Sequence, residues 1–182
     1  MNIVISNDIT IITEREFVNN QLTSVIIPDS VVKIGNNAFY NNKLTNIIIP
    51  NSVIEIKNGA FAHNQLTSIE ISNNLKEIDQ FVFLNNQLGD IQIPDSVIKI
   101  GNYAFETNQL TSIMIPNSVT EIGKNAFKSN QLTSIVIPNS VTKIGKNAFE
   151  SNQLLNVTIP KRFKSQCCNI FGDITNIIFT FV

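Results

Sequence analysis

The sequence predicts a solenoid, a stack of about eight short coils that lays parallel strands side by side, and three observations predict it. Leu22, Leu44, Leu66, Leu88, Leu110, Leu132 and Leu154 stand 22 residues apart. A phenylalanine column from Phe17 and Phe39 through Phe149 and Phe171 keeps the same step, as do Pro28, Pro50, Pro94, Pro116, Pro138 and Pro160, with Ser72 in the one gap. The composition is periodic too: the 31 Ile and 27 Asn of the 182 residues fall largely into columns, among them Asn20, Asn42, Asn64, Asn86, Asn108, Asn130 and Asn152. A unit of this length cannot bury its own apolar face, but stacked units cover one another.

The unit from Leu132 to Gln153 shows how each coil is built. Leu132, Ile135 and Ile137 fit a strand whose alternation points inward, with Thr133, Ser134 and Val136 facing out. Pro138 ends the strand, because it has no N–H for a ladder. Asn139 and Ser140 turn the chain, and Val141 and Ile144 return to the core. Gly145 permits a tight corner, and Asn147-Ala148-Phe149 predicts a helical or 3₁₀ turn with Phe149 buried between coils. Coils are expected at about 1–21, 22–43, 44–65, 66–87, 88–109, 110–131, 132–153 and 154–173, with a terminal strand in 174–182, all in one domain.

This order of blocks, Leu-x-x-Ile-x-Ile-Pro followed by Ile-Gly and Ala-Phe, resembles the BspA-like leucine-rich repeat of bacterial and protist surface proteins, over roughly residues 1 to 179. The resemblance implies a right-handed leucine-rich-repeat solenoid of 22-residue coils. A parallel sheet would line its concave side, with short strands and 3₁₀ or helical turns on the convex side. It also implies a non-catalytic role in binding or adhesion at a cell surface, as part of a longer protein. Departures lie in the coil with Ser72, Asp79 and Phe81-Val82-Phe83, and in Lys161 to Asp173, which loses the pattern and reads as two residues short.

Composition narrows the function classes. Thirteen basic and 14 acidic side chains give a net charge of -1, so there is no polybasic footprint for nucleic acid. One His and two Cys leave few ligands for zinc, and no cofactor is implied. No apolar run approaches the roughly 18 residues of a membrane span. Met1-Asn2-Ile3-Val4 shows no secretory signal, which leaves a fragment of an exported protein or an intracellular one as the expectation. Cys167 and Cys168 are adjacent and read as free thiols near the C-terminal end, with an intermolecular bridge as the alternative.

The outward strand column carries the functional signal. It reads Val4, Ile26, Ile48, Glu70, Gln92, Met114, Val136, Thr158 and, because the last unit reads short, Ile178. Its neighbour is Ser or Asn except at Asp90. A flat, hydroxyl-rich face thus bears an apolar stripe with one polar break, and Ile26, Ile48, Glu70, Asp90, Gln92, Met114 and Val136 are the candidate partner-binding residues for a protein ligand. The alternative is a structural or self-assembly module that associates through uncapped solenoid ends, for which the apolar C-terminal strand Ile177 to Val182 is the motive. No catalytic set recurs, since His63 occupies a loop position held elsewhere by Asn, Thr or Ser and reads as an exposed substitution. The Asn and Phe columns read as structural ladders. The column Lys33, Glu55, Glu77, Lys99, Glu121, Lys143 reads as charge pairing between coils. A late basic cluster from Lys124 to Lys164 reads as solvated surface.

Overall fold

The computed structural model describes residues 1–182, and they form the stacked parallel-strand solenoid that the repeat requires. Most coils contribute a front strand and a back strand, whereas 88–109 and 110–131 contribute a back strand alone. The front strands follow the Leu column: Asn2–Val4 pairs with Ser24–Ile26, Asn46–Ile48 with Ser68–Glu70, and Ser134–Val136 with Asn156–Ile159, all parallel and in the 22-residue register. The back strands are two residues long and follow the Pro turn. Ile11–Ile12, Lys33–Ile34 and Glu55–Ile56 form one ladder, and Glu77–Ile78, Lys99–Ile100, Glu121–Ile122 and Lys143–Ile144 form another. The Leu, Ile, Val, Ala and Phe columns meet between the sheets in one continuous core.

Two ladders run through that core. The rings of Phe17 to Phe171 stack coil on coil with centroids 5.2 to 5.9 Å apart and nearly parallel planes. Such offset pairs add to the area term of the buried rings. The Asn column is the second ladder. The Asn86 Oδ1 accepts the N–H of Leu66 at 3.0 Å, and its Nδ2 donates to the carbonyls of Phe61 and Phe83 at 3.0 and 3.2 Å. Asn64, Asn108, Asn130 and Asn152 repeat this pattern, so each amide fastens a coil to the one before it.

Several expectations are corrected. The Asn-Ala-Phe segment takes the tighter of the two expected forms, a turn in which the Glu150 N–H donates to the Asn147 carbonyl at 3.2 Å, and it does not run on as a helix because Arg15, Asn37, Gly59, Phe81, Tyr103, Asn125 and Asn147 all adopt left-handed φ between 52° and 64°. That conformation interrupts helical progression and favours Gly and Asn. A second left-handed column, Asn19, Asn41, His63, Asn85, Thr107, Ser129 and Ser151, precedes the Asn ladder. Gly145 and its column do not serve a positive-φ corner. They let coils approach: a Cβ on Gly101 would lie 2.6 Å from the main-chain nitrogen of Gln80, and one on Gly35 would lie 2.7 Å from that of Glu14.

Neither sheet is continuous. The back sheet parts between Glu55–Ile56 and Glu77–Ile78. Here Glu55 faces the like-charged Glu77, and Asp79 puts a Cβ into the glycine column of close approach. Lys57 also occupies that column, yet its strand stays paired with Lys33–Ile34, so a Cβ alone does not part the coils. In front, neither 89–93 nor 111–115 is in a strand. Ser72, in the proline column, is fully buried and donates its hydroxyl to the Val53 carbonyl at 2.6 Å.

The last unit departs most. Lys161–Gln166 is a 3₁₀ helix and Cys167–Phe171 a single α-turn, which carries Phe171 into the ring stack. The terminal strand is Ile178–Phe181 and keeps the full 22-residue step, with Asn156 opposite Ile178 and Thr158 opposite Thr180. Thr180 therefore continues the outward column, and Ile178 belongs to the neighbouring one. The helical segment replaces the usual turn without shortening the unit.

Candidate front-face interaction site

The front face is built by strand alternation. Ile47, Ile91 and Ile135 point into the core, whereas Ile26, Ile48, Met114 and Val136 are 61%, 63%, 83% and 63% exposed. Leaving four such side chains in water forgoes roughly 1.5–3 kcal/mol of burial each, so β-propensity alone accounts poorly for the stripe. Glu70, Asp90 and Gln92 are exposed between the two apolar pairs. The seven residues expected from sequence therefore share one surface, with Ile48 directly opposite Glu70 in the strand register.

The unpaired stretches of the front sheet open two shallow clefts in that surface. One, of about 390 Å³, lies between Glu70 and Gln92 and is floored by Ile69, Ile71 and Pro94. The other, of about 500 Å³, lies along Met114, Val136 and Pro138 and includes Asp95. Asp95 was not singled out by the strand pattern. It follows the proline and therefore sits in a turn column, but the turn folds it beside Met114. Its position matches Asp29, and an acid at both was the signal available in sequence.

The back face behaves differently because most of its strand charges are already paired. Lys99 lies 2.6 Å from Glu77, Lys143 2.7 Å from Glu121, and Lys33 and Lys57 lie 3.0 and 3.3 Å from Glu55. Hydrogen bonds from Lys33 and Lys57 hold the Glu55 carboxyl below the usual carboxylate range, and Lys143 does the same to Glu121. Glu77 raises the Lys99 ammonium, and Glu150 raises that of Lys128. A groove of about 830 Å³ runs along the Glu77–Lys99 and Glu121–Lys143 pairs from Asp79 to Phe163, over Gly101, Gly123 and Gly145.

The late basic residues are also engaged. Lys128 pairs with Glu150, Arg162 donates to the Asn139 and Val141 carbonyls, and Lys124 and Lys164 lie over the rings of Tyr103 and Phe181. His63 is half-buried rather than exposed. It packs against Tyr40 with centroids 5.0 Å apart and shares a 2.9 Å hydrogen bond with Asn85. Cys167 is buried, and its surroundings push the thiol up, while Cys168 is exposed; both are free. No three His, Cys, Asp or Glu side chains are gathered as a metal site requires, and no helix is long and apolar enough to cross a membrane.

Known proteins share this architecture. The family model of the BspA type leucine rich repeat region matches in six copies, over residues 1–109 and 98–179. A leucine-rich repeat protein from Bacteroides ovatus is 27% identical with a TM-score of 0.70, over 100% of this chain and 54% of its own. A leucine rich cell surface protein from Faecalibacterium prausnitzii is 24% identical with a TM-score of 0.55, over 98% of this chain and 59% of its own. The pneumococcal vaccine antigen PcpA is 19% identical with a TM-score of 0.54, over 87% of this chain and 62% of its own. At those identities the last two speak to the fold alone, and the chain spans less than two thirds of each of the three solved structures. No curated protein matches the sequence.

Proposed function

The chain belongs to the BspA-type leucine-rich repeat family, and from that premise we propose that it is a non-catalytic adhesion module of a surface protein, binding a protein ligand through its front face. The observation that carries the reading is the exposed stripe of Ile26, Ile48, Met114 and Val136 on an otherwise small and hydroxyl-rich surface. Strand pairing holds Ile26, Ile48 and Val136 in the 22-residue register, and the Asn ladder fastens the coils behind them, so many weak contacts are offered at little ordering cost. Leucine-rich repeats are typically binding modules, and the hydroxyls of Thr67, Thr120 and Thr142 are committed to carbonyls of the preceding coil.

The test is retention of chain-coated beads on immobilised host-surface proteins. Two variants are compared with the native chain: Ile26, Ile48, Met114 and Val136 changed to Ser, and Glu70, Asp90 and Gln92 changed to Ala. Retention lost in either folded variant supports the front face. Retention unchanged in both moves the site to the turns or the back face. The second reading is association of copies along the outer edge of Ile178–Phe181, where Ile178 is 69% exposed. Light scattering decides it, because a constant monomer mass across concentration removes that reading.

A further inference from the structure

The charges of this chain are segregated by face, although they nearly cancel overall. Segments 23–29, 45–51, 67–73, 89–95, 111–117 and 133–139 carry the outward front positions of six successive units and the turns that follow them, and they contain no Lys, Arg or His; a cation first enters this column in the next unit, at Lys161. They contain four acids, Asp29, Glu70, Asp90 and Asp95, all exposed. The five ion pairs of the molecule join other residues, so these four carboxylates have no cationic partner within the chain. Three of them cluster where the front sheet is interrupted. Glu70 borders one cleft, and Asp95 shares the other with Met114 and Val136.

We infer that the front face accepts a basic polypeptide segment, with Lys or Arg at its centre and apolar side chains on both flanks. This rests on the reading of that face as the binding surface and adds the chemistry of the partner. Unpaired carboxylates beside apolar surface attract a cation and repel acidic partners, which sets specificity and association rate. A Lys or Arg also lays its methylene stem on apolar neighbours while its head meets a carboxylate. The spacing suits one segment: coil steps of roughly 4.8 Å put Ile48 one step before Glu70, and Met114 two steps after it. An acidic glycan, a nucleic acid or an anionic membrane meets like charge on the stretch from Glu70 to Asp95.

The probe is a short fluorescent peptide that alternates leucine with serine and carries two central lysines, measured by anisotropy against the whole chain. The same peptide with two glutamates and a peptide with two glutamines are the controls. The lysine peptide is expected to bind and to weaken as salt rises. It is expected to lose about tenfold in affinity or more when Glu70, Asp90 and Asp95 are all changed to Lys. The milder variant with Gln, Asn and Asn at those positions removes the charge if the reversal fails to fold. No binding of the lysine peptide, or equal binding of all three peptides, overturns the inference. The variant Ile48→Ser with Met114→Ser, which removes apolar contact without changing charge, separates the two readings. If it abolishes charge-independent binding, the face is right and the basic partner wrong; if lysine-peptide binding survives it unchanged, the face itself is wrong.

Discussion

The carboxamide oxygen of Asn108 accepts the main-chain N–H of Leu88 at 3.1 Å, tying the end of a coil back to its start. The amide of the same side chain donates to the carbonyls of Phe83 and Phe105 at 2.9 and 3.2 Å. Asn108→Ala would leave a buried donor and weaken the satisfaction of two carbonyls. The expected cost is about 2 kcal/mol or more, against less than about 0.5 kcal/mol for Ala at the exposed neighbour Gln109. Urea unfolding of the two variants measures the difference, and equal midpoints would remove the ladder from the account of stability.

The ring stack predicts a gradient. Phe105 lies 5.4 Å from both Phe83 and Phe127, whereas Phe17 is half-buried and has one ring neighbour, Phe39. Phe105→Ala is expected to cost about 3–5 kcal/mol, the range for a fully buried aromatic. Phe17→Ala should cost clearly less, because its ring loses less burial and a single stacking partner. Thermal melts of both variants check this ordering.

The stack, the strand alternation and the Asn ladder were legible in sequence because each depends on residue type at a fixed step. The left-handed turns were not, because Asn37, Gly59, Phe81 and Tyr103 share a backbone conformation without sharing a side-chain chemistry. Phe81 and Tyr103 hide the signal that Asn and Gly would have given. The breaks in the sheets depend on contacts between coils, so Glu55 against Glu77 becomes meaningful only when the two are placed in register. The shift of Ile178 out of the outward column was missed because Lys161–Phe171 keeps the period while discarding the motif. For the candidate site, the apolar stripe followed from alternation, but Asp95 entered only once the turn was folded.

The parted back sheet has a measurable signature in amide exchange. The Gly101 N–H donates to the Ile78 carbonyl at 2.7 Å, and the Ile98 N–H to that of Lys76 at 2.8 Å. The corresponding donors one coil earlier, Asp79 and Lys76, make no such bond to the coil before them. Their amides are expected to exchange faster than those of Gly101 and Ile98, since local opening there breaks no ladder bond. Protection equal at all four positions, read by NMR or mass spectrometry, would contradict the seam.

The two cysteines should separate chemically. Burial pushes the Cys167 thiol up, reinforced by the neighbouring Cys168, and keeps reagents away, while Cys168 is exposed on the same short helix. The thiolate is the reactive form, so Cys168 is expected to take iodoacetamide first and Cys167 to react only on unfolding. Cys168→Ser should therefore abolish rapid labelling of the native chain. Persistent rapid labelling would place Cys167 in reach of solvent.

The back-face ion pairs set the expected pH dependence. Hydrogen bonds from Lys143 to Glu121, and from Lys33 and Lys57 to Glu55, hold both carboxyls below their ordinary value in the folded chain. A depressed folded value means that the stabilisation is present above the unfolded value and is lost as pH falls through the folded one. Lys99 and Lys128 are raised by Glu77 and Glu150, so their contribution is present below the unfolded value and lost as pH rises through the folded one. The melting temperature should thus be flat near neutrality, fall below about pH 4 and fall again above about pH 10. Because these pairs are largely exposed, the changes should be small and should shrink in about 0.5 M salt. Lys143→Met gives the direct check: the Glu121 carboxyl, followed by NMR titration, should rise toward its ordinary value. An unmoved titration would mean that the pair at 2.7 Å is not maintained in solution.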